Sequence, residues 1–269
     1  MVTRPGDEAV RWVSAIGEHG WPALALPLIE IGPPRSPAAQ AALSQARIRW
    51  ADWDALMFVS SAAVTHFFDA AGPLGPDRCT TRFWAPGPGT AAALKQALAR
   101  AGVPPERIDS PPDEAVQFDS EALWPVVSGQ LAPGKRLLVV RGDSSDGLPS
   151  AVGLAGRGRD WLIDQCQGLG ASVEACVAYE RHAPQWDARQ LETARAAATG
   201  GSVWLLSSSQ AVRNLQQGLP GVDWSRASAL ATHERIAQTA LDAGFGDVRA
   251  SRPALPDVLR ALESHWSRP

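Results

Sequence analysis

Hydroxyl side chains stand where predicted strands pass into predicted helices, a position that suits anion binding. Ser60 and Ser61 follow one short apolar run, and Ser207 and Ser208 follow another. Serine caps helix amino termini well, so capping alone explains these residues. A capped helix still directs N–H groups at the carboxyl end of its strand, where open α/β sheets bind ligands. The pattern is therefore consistent with an anionic ligand, and one with many carboxylates would suit several helix termini.

A glycine-rich turn precedes another predicted helix. Gly87, Gly89 and Ala92 fit the spacing GxGxxA, and Asp109 follows about twenty residues later, which is the outline of a dinucleotide fingerprint. Pro88 removes one backbone N–H from this turn, and the motif does not lie in the first strand–helix unit. We therefore expect a tight turn that holds some anion rather than a dinucleotide site.

Two further positions invite a chemical interpretation. His233 and Glu234 begin an HExxH-like motif that ends in Ala237, so the second zinc ligand of a metalloprotease is missing. Tyr179 is the one tyrosine of the chain and ends a predicted strand. A tyrosine at a strand end is most often a half-buried packing residue, so its position alone does not indicate catalysis.

The elements that position these residues occur twice. The run 54–64 returns as 202–212, with Ser60 and Ser207 each following the apolar run, and 85–91 returns as 231–237. Strands alternate with helices of about ten residues throughout, which predicts parallel sheets with right-handed crossovers. We expect an α/β fold of two similar lobes, each a parallel sheet flanked by helices, with a cleft between them.

Composition narrows the function class. The net charge of −3 does not favour a nucleic-acid surface, and no apolar run approaches the roughly 18 residues of a membrane span. Cys79, Cys166 and Cys176 form no CxxC pair and are odd in number, which favours a reducing cytosol over a disulfide scaffold. We therefore expect a cytoplasmic protein that contacts neither membrane nor nucleic acid.

Residues 143–158 have no counterpart in the repeat and are predicted to form a mobile loop.

The chain resembles the uroporphyrinogen-III synthase family over its whole length and in the family's order. The resemblance rests on these segments: Thr3-Arg4-Pro5, Leu26-Pro27-Leu28-Ile29-Glu30-Ile31, Phe58-Val59-Ser60-Ser61-Ala62-Ala63-Val64, Gly87-Pro88-Gly89-Thr90-Ala91, Asp119-Ser120-Glu121-Ala122-Leu123, Val139-Val140-Arg141-Gly142, Ala178-Tyr179-Glu180-Arg181 and His233-Glu234-Arg235-Ile236-Ala237. The segment 143–158 is longer than the family pattern.

This resemblance implies a discontinuous domain layout. One lobe would comprise residues 1–34 and 184–269, and the other would comprise residues 35–183. Crossings near 29–36 and 178–185 would form a two-stranded hinge that joins the lobes.

The resemblance also implies an activity. The family closes the linear tetrapyrrole hydroxymethylbilane to uroporphyrinogen III, inverting the last pyrrole and losing water, and it uses no metal or organic cofactor. Tyr179 would face the cleft and assist loss of the hydroxyl group. The substrate-binding residues would be Arg4, Ser60, Ser61, Thr90, Arg141, Ser207, Ser208, Thr232, His233 and Arg235.

We expect a monomer that acts on this small-molecule substrate. Two alternatives remain open at the level of sequence. One is a two-lobed protein that binds or senses a small anion without catalysis, and the other is a dinucleotide-dependent oxidoreductase built on the turn at Gly87.

Overall fold

The computed structural model describes residues 1–68, 80–112, 114–115, 117–144 and 157–267. The chain divides into two compact units, which we call the terminal unit (Met1–Ile31 with His182–Pro269) and the middle unit (Gly32–Arg181). The boundaries expected after residues 34 and 183 lie three and two residues further along the chain. The chain crosses between the units within two neighbouring strands, β1 (Glu30–Gly32) and β6 (Ser172–His182). The predicted two-stranded hinge stays a prediction.

The middle unit is built on a parallel sheet. Its strands, in the order β6–β5–β2–β3–β4, pair parallel throughout, and β1 adjoins β6 at the edge. The remaining elements are β2 (Ala55–Phe58), β3 (Arg82–Trp84), β4 (Ile108–Asp109), β5 (Arg136–Ser144), α2 (Pro37–Ile48), α3 (Ser61–Phe68), α4 (Pro88–Arg100), α5 (Ser120–Val127) and α6 (Arg157–Gly168). Most of the predicted loop, residues 145–156, lies outside the described residues.

Both faces of this sheet are covered, which explains why β2 is apolar at every position. Met57 packs with Leu123 of α5 and Leu162 of α6 on one face. Phe58 points to the opposite face, where it contacts Phe67 of α3 at a ring-centroid distance of 5.4 Å. Alternation of side chains along a strand produces this arrangement.

The terminal unit repeats this plan. Its elements are α1 (Gly6–Glu18), α7 (Ala188–Ala198), β7 (Val203–Leu206), α8 (Ser209–Gly218), β8 (Ser228–Ala231), α9 (Glu234–Asp242), β9 (Asp247–Ala250) and α10 (Leu255–His265). Strands β7, β8 and β9 pair parallel in that order. Val2 extends the sheet by parallel bridges to Leu205 and to Ala25. One face packs against α7, α8 and α9, and the other against α1 and α10.

The two units therefore share one strand order. Ala25, Val2, β7, β8 and β9 in the terminal unit correspond to β6, β5, β2, β3 and β4 in the middle unit. This confirms the prediction of an α/β fold with two similar lobes, each a parallel sheet between helices. No helix in the described part of the chain is both long and apolar enough to cross a bilayer.

The segment 23–31 forms little regular strand. It contains the single bridge residue Ala25 and the start of the three-residue β1. Pro27 has no N–H to donate, and its carbonyl accepts from Trp186 Nε1 at 3.3 Å. The next carbonyl, of Leu28, accepts from Asn214 Nδ2 at 2.8 Å. Side chains thus satisfy these two carbonyls, while the N–H groups of Leu26 and Leu28 donate to the backbone carbonyls of Val2 and Thr3.

Candidate active site

Tyr179 lies near the carboxyl end of β6, and its phenol is held by two polar groups. The residue is only 1% exposed. Its hydroxyl oxygen lies 3.1 Å from Ser60 Oγ and accepts a hydrogen bond from Arg181 Nη2, also at 3.1 Å. A buried phenol that lacked a partner would destabilise the fold by about 1–3 kcal/mol, so this pairing fixes the hydroxyl in place.

The ring of Tyr179 is clamped between a strand and a helix. Gly142 on β5 stands opposite Tyr179 in the sheet register, and a Cβ added to Gly142 would lie 2.2 Å from Tyr179 Cζ. The imidazole of His66 on α3 stacks on the ring at 5.7 Å between centroids and 28° between planes. Because only a glycine leaves room for the ring, Gly142 determines where the phenol sits.

Ser60 joins this cluster to the start of α3. Its Oγ accepts from the backbone N–H of Ala63 at 3.2 Å, which caps the helix as the sequence predicts. Ser60 is half-buried, in contrast to Tyr179. A single hydroxyl therefore contacts both a helix terminus and the phenol.

Two helix starts adjoin at the carboxyl edge of the middle sheet. A Cβ on Gly89 of α4 would lie 3.6 Å from Ser61 Oγ of α3. Within the described part of the chain, the N–H groups of Ser61 and Ala62 in α3, and of Gly89 and Thr90 in α4, donate no hydrogen bond. Free donors at a helix start attract anions, so this edge can bind carboxylates.

The terminal unit has a comparable edge. Ser208 caps α8 by accepting from Gln210 N at 3.2 Å. His233 caps α9 through Nδ1, which accepts from Arg235 N at 3.1 Å. Ser207 and Thr232, which follow β7 and β8, are half-buried, whereas the side chain of Arg235 is exposed. The structure thus brings the predicted residues of β7–α8 and β8–α9 to one edge of their own sheet.

The two arginines proposed from the sequence differ in their surroundings. Arg4 pairs with Glu8, donates to the carbonyl of Pro253 at 3.3 Å and stacks on Trp12 at 3.9 Å. Arg141, near the carboxyl end of β5, has a buried Nε that finds no hydrogen-bond partner among the described residues. Arg4 is therefore engaged within its own unit, and Arg141 retains a donor for a ligand.

The geometry argues against the dinucleotide alternative. The carboxylate of Asp109, which would have to bind a ribose, accepts from Arg82 Nε at 2.9 Å and from Arg82 Nη2. Its side chain is only 8% exposed. An acidic residue already paired in this way is not available to a ribose hydroxyl.

A cavity of about 710 Å³ in the terminal unit lies away from these residues. It is lined by the first residues of the strands, including Met1, Val203 and Ser228, together with Trp21 and Trp266. Ligands of open α/β sheets bind at the opposite, carboxyl ends of the strands. We therefore assign the functional site to the carboxyl edges and not to this cavity.

Among the described residues, no group of three or more His, Cys, Asp or Glu side chains could hold a metal ion.

Sequence reasoning overlooked three members of the Tyr179 cluster: Gly142, His66 and Arg181. Gly142 carried a usable signal, because a glycine within a strand often marks the close approach of another group. His66 and Arg181 carried none, since their contacts with the phenol depend on tertiary packing.

Comparison with known proteins decides the family. The family model described as "Uroporphyrinogen-III synthase HemD" matches residues 10–260. The chain belongs to the uroporphyrinogen-III synthase family. This confirms the family and the function predicted from sequence, and it makes the chain an enzyme of tetrapyrrole synthesis in haem biosynthesis rather than an oxidoreductase.

Solved structures of uroporphyrinogen-III synthases are similar to this chain. The synthetase of Helicobacter pylori is 13% identical, with 90% of this chain and 93% of that chain covered and a TM-score of 0.51. A mutant synthase of Thermus thermophilus is 16% identical, with 98% of this chain and 96% of that chain covered and a TM-score of 0.49. The Helicobacter match supports the two-lobed α/β architecture.

Proposed function

We propose that the chain cyclises hydroxymethylbilane to uroporphyrinogen III, with inversion of the last pyrrole ring and loss of water, as a cyclising hydro-lyase. The observation that carries this proposal is the family match across residues 10–260. The clamped phenol at the carboxyl edge of the middle sheet supports it, because the reaction needs a proton donor near an anion site.

The substrate's carboxylates would be bound mainly by backbone donors. Among the described residues, the N–H groups at the starts of α3 and α4 find no acceptor, and α8 and α9 begin at the carboxyl edge of the terminal sheet. Helix starts attract anions without any excess of positive side chains, which fits a protein of net charge −3. Arg141 Nε would add a side-chain donor, because it lies near the carboxyl end of β5 and has no partner among the described residues.

The chemistry requires acid assistance and orientation. Departure of the substrate's hydroxyl as water leaves an electron-poor azafulvene, which the substituted carbon of the last pyrrole attacks through a spiro intermediate. Closure at the unsubstituted carbon gives the type I isomer without an enzyme. The protein must therefore hold the last ring in the productive orientation and supply a proton to the leaving hydroxyl. Tyr179 is the proposed source of that proton.

We further propose that the enzyme works in the cytoplasm, as a monomer, without a metal or an organic cofactor. Neither step of the proposed reaction transfers electrons to or from the protein.

Isomer analysis tests the proposed function. The protein is incubated with freshly generated hydroxymethylbilane, and the products are oxidised to porphyrins and separated. Predominance of the type III isomer is the expected result. Formation of the type I isomer alone, at the rate of the buffer control, would instead favour the anion-binding protein that remained as an alternative.

A further inference from the structure

The burial of Tyr179 limits how it can deliver a proton. With 1% of its surface exposed, the residue has its hydroxyl directed at Ser60 and Arg181. Gly142 and His66 hold the ring from two sides, so a rotation towards the solvent would break several contacts at once. Ser60, by contrast, is half-buried and stands at the start of α3, beside the free N–H groups proposed to bind the substrate.

The hydrogen-bond directions define a path for a proton. The guanidinium of Arg181 can only donate, so the phenol oxygen of Tyr179 accepts from it. The Oγ of Ser60 accepts from the backbone of Ala63. The phenol proton of Tyr179 is then free to point at Ser60 Oγ, 3.1 Å away, which leaves the serine proton free to point outward.

We propose that Ser60 is the catalytic residue that touches the leaving hydroxyl, and that Tyr179 and Arg181 act through it as a relay. This inference rests on the proposed function. As the substrate's C–O bond breaks, its electron pair stays on oxygen, Ser60 gives that oxygen its proton, and water departs. Tyr179 gives its proton to Ser60, and Arg181 stabilises the phenolate that forms. When the closed ring loses its surplus proton from carbon, the same path returns a proton to Tyr179.

Three substitutions at two serines distinguish a role of Ser60 in proton transfer from its role as a helix cap. Ser60→Asn keeps a good helix cap and stays neutral, but an amide cannot pass a proton on. Ser60→Thr keeps both the cap and the hydroxyl. Ser36 provides the matched control, because it caps α2 in the same way, accepting from Ala39 N at 3.3 Å, and lies exposed. Ser36→Asn should leave turnover at the parent level.

The relay predicts a specific set of rates. Ser60→Asn should lower kcat for type III formation by about 10²-fold with little change in KM, and Ser60→Thr should recover most of it. Tyr179→Phe should lower kcat to a similar extent, and the double variant should be no slower than the slower single variant, because both remove the same path. Melting temperature and circular dichroism confirm that each variant is folded.

Arg181 provides a further test, made in the parent and in the Tyr179→Phe background. Arg181→Gln changes an exposed residue. It should lower kcat in the parent and have no further effect in Tyr179→Phe, since its role in the relay is to donate to the phenol oxygen. An equal loss in both backgrounds would assign Arg181 another role and remove it from the relay.

Three results would overturn the relay. These are unchanged turnover in Ser60→Asn, losses that multiply in the double variant, and a Ser60→Thr variant as slow as Ser60→Asn. The activity of the parent enzyme distinguishes failure of the relay from failure of the proposed function. If the parent forms no type III isomer, the proposed function is wrong. If the parent is active and any of these three results is found, only the relay is rejected.

Discussion

Replacing Gly142 by alanine should displace Tyr179 from its position. The added Cβ would lie 2.2, 2.4 and 2.7 Å from three ring atoms of Tyr179, well inside van der Waals contact. The ring cannot move aside easily, because His66 stacks on it and Ser60 holds its hydroxyl. Either the ring leaves its site or the strands β5 and β6 separate locally.

The expected loss in the free energy of unfolding is the cost of overpacking a well-filled site, which is about 1–3 kcal/mol. For a chain of this size each kcal/mol shifts a melting temperature by about 2–4 °C. Because the chain has two units, the shift should appear in the transition that reports the middle unit. Activity should fall at least as far as in Tyr179→Phe, since the hydroxyl would no longer lie beside Ser60.

Two comparisons isolate the cause. Gly168→Ala is the matched control, because nothing lies within 4 Å of its added Cβ and its backbone is helical. It should leave turnover unchanged. In a Tyr179→Ala background, which has no ring to displace, Gly142→Ala should have little effect on stability. If Gly142→Ala is as stable and active as the parent, or is equally damaging without the ring, the clamp is not what positions Tyr179.

Further predictions concern the thiols and the anion donors. Burial raises the pKa of Cys166 to about 12 and that of Cys176 to about 11, so in a Cys79→Ser variant neither should react with a thiol reagent at neutral pH until the protein unfolds. The stability that these buried, neutral thiols contribute is present below the unfolded thiol pKa of about 9 and should be lost as the pH rises towards about 12. Urea unfolding at increasing pH measures this loss. A free energy of unfolding that rises across this range would contradict the raised thiol pKa values. Ser61→Pro removes a free N–H at the first helical position, where proline fits, and should raise KM up to about 10-fold. Arg4→Gln should raise KM less, because Arg4 is engaged with its own unit; a larger effect of Arg4→Gln, with folding intact, would show that side-chain charge dominates binding.

The architecture was predictable because local patterns repeat. The match of 54–64 with 202–212 located β2–α3 and β7–α8, and serine capping of α3 and α8 followed from residue type alone. The short strand β4, which was not predicted, forms only two residues and pairs with β3 alone, so it leaves almost no periodic signal.

The site was predictable as a set of positions but not as a set of contacts. Ser60 and Tyr179 are 119 residues apart, and only the adjacency of β2, β5 and β6 in the sheet brings their hydroxyls together. The pairing of Arg4 with Glu8 joins residues close in sequence, yet the stacking of Arg4 on Trp12 could not be inferred without the fold. Burial of the phenol was equally hidden, because a tyrosine at a strand end can face either solvent or core.

The central claim is that this chain directs ring closure, and the dependence of isomer ratio on enzyme concentration tests it most directly. Hydroxymethylbilane at a fixed concentration is mixed with increasing amounts of the protein, and the type III fraction is measured at early times. That fraction should rise with enzyme towards complete conversion and extrapolate to zero without it, because uncatalysed closure gives type I. A type III fraction that stays at the background level at every enzyme concentration would contradict the account.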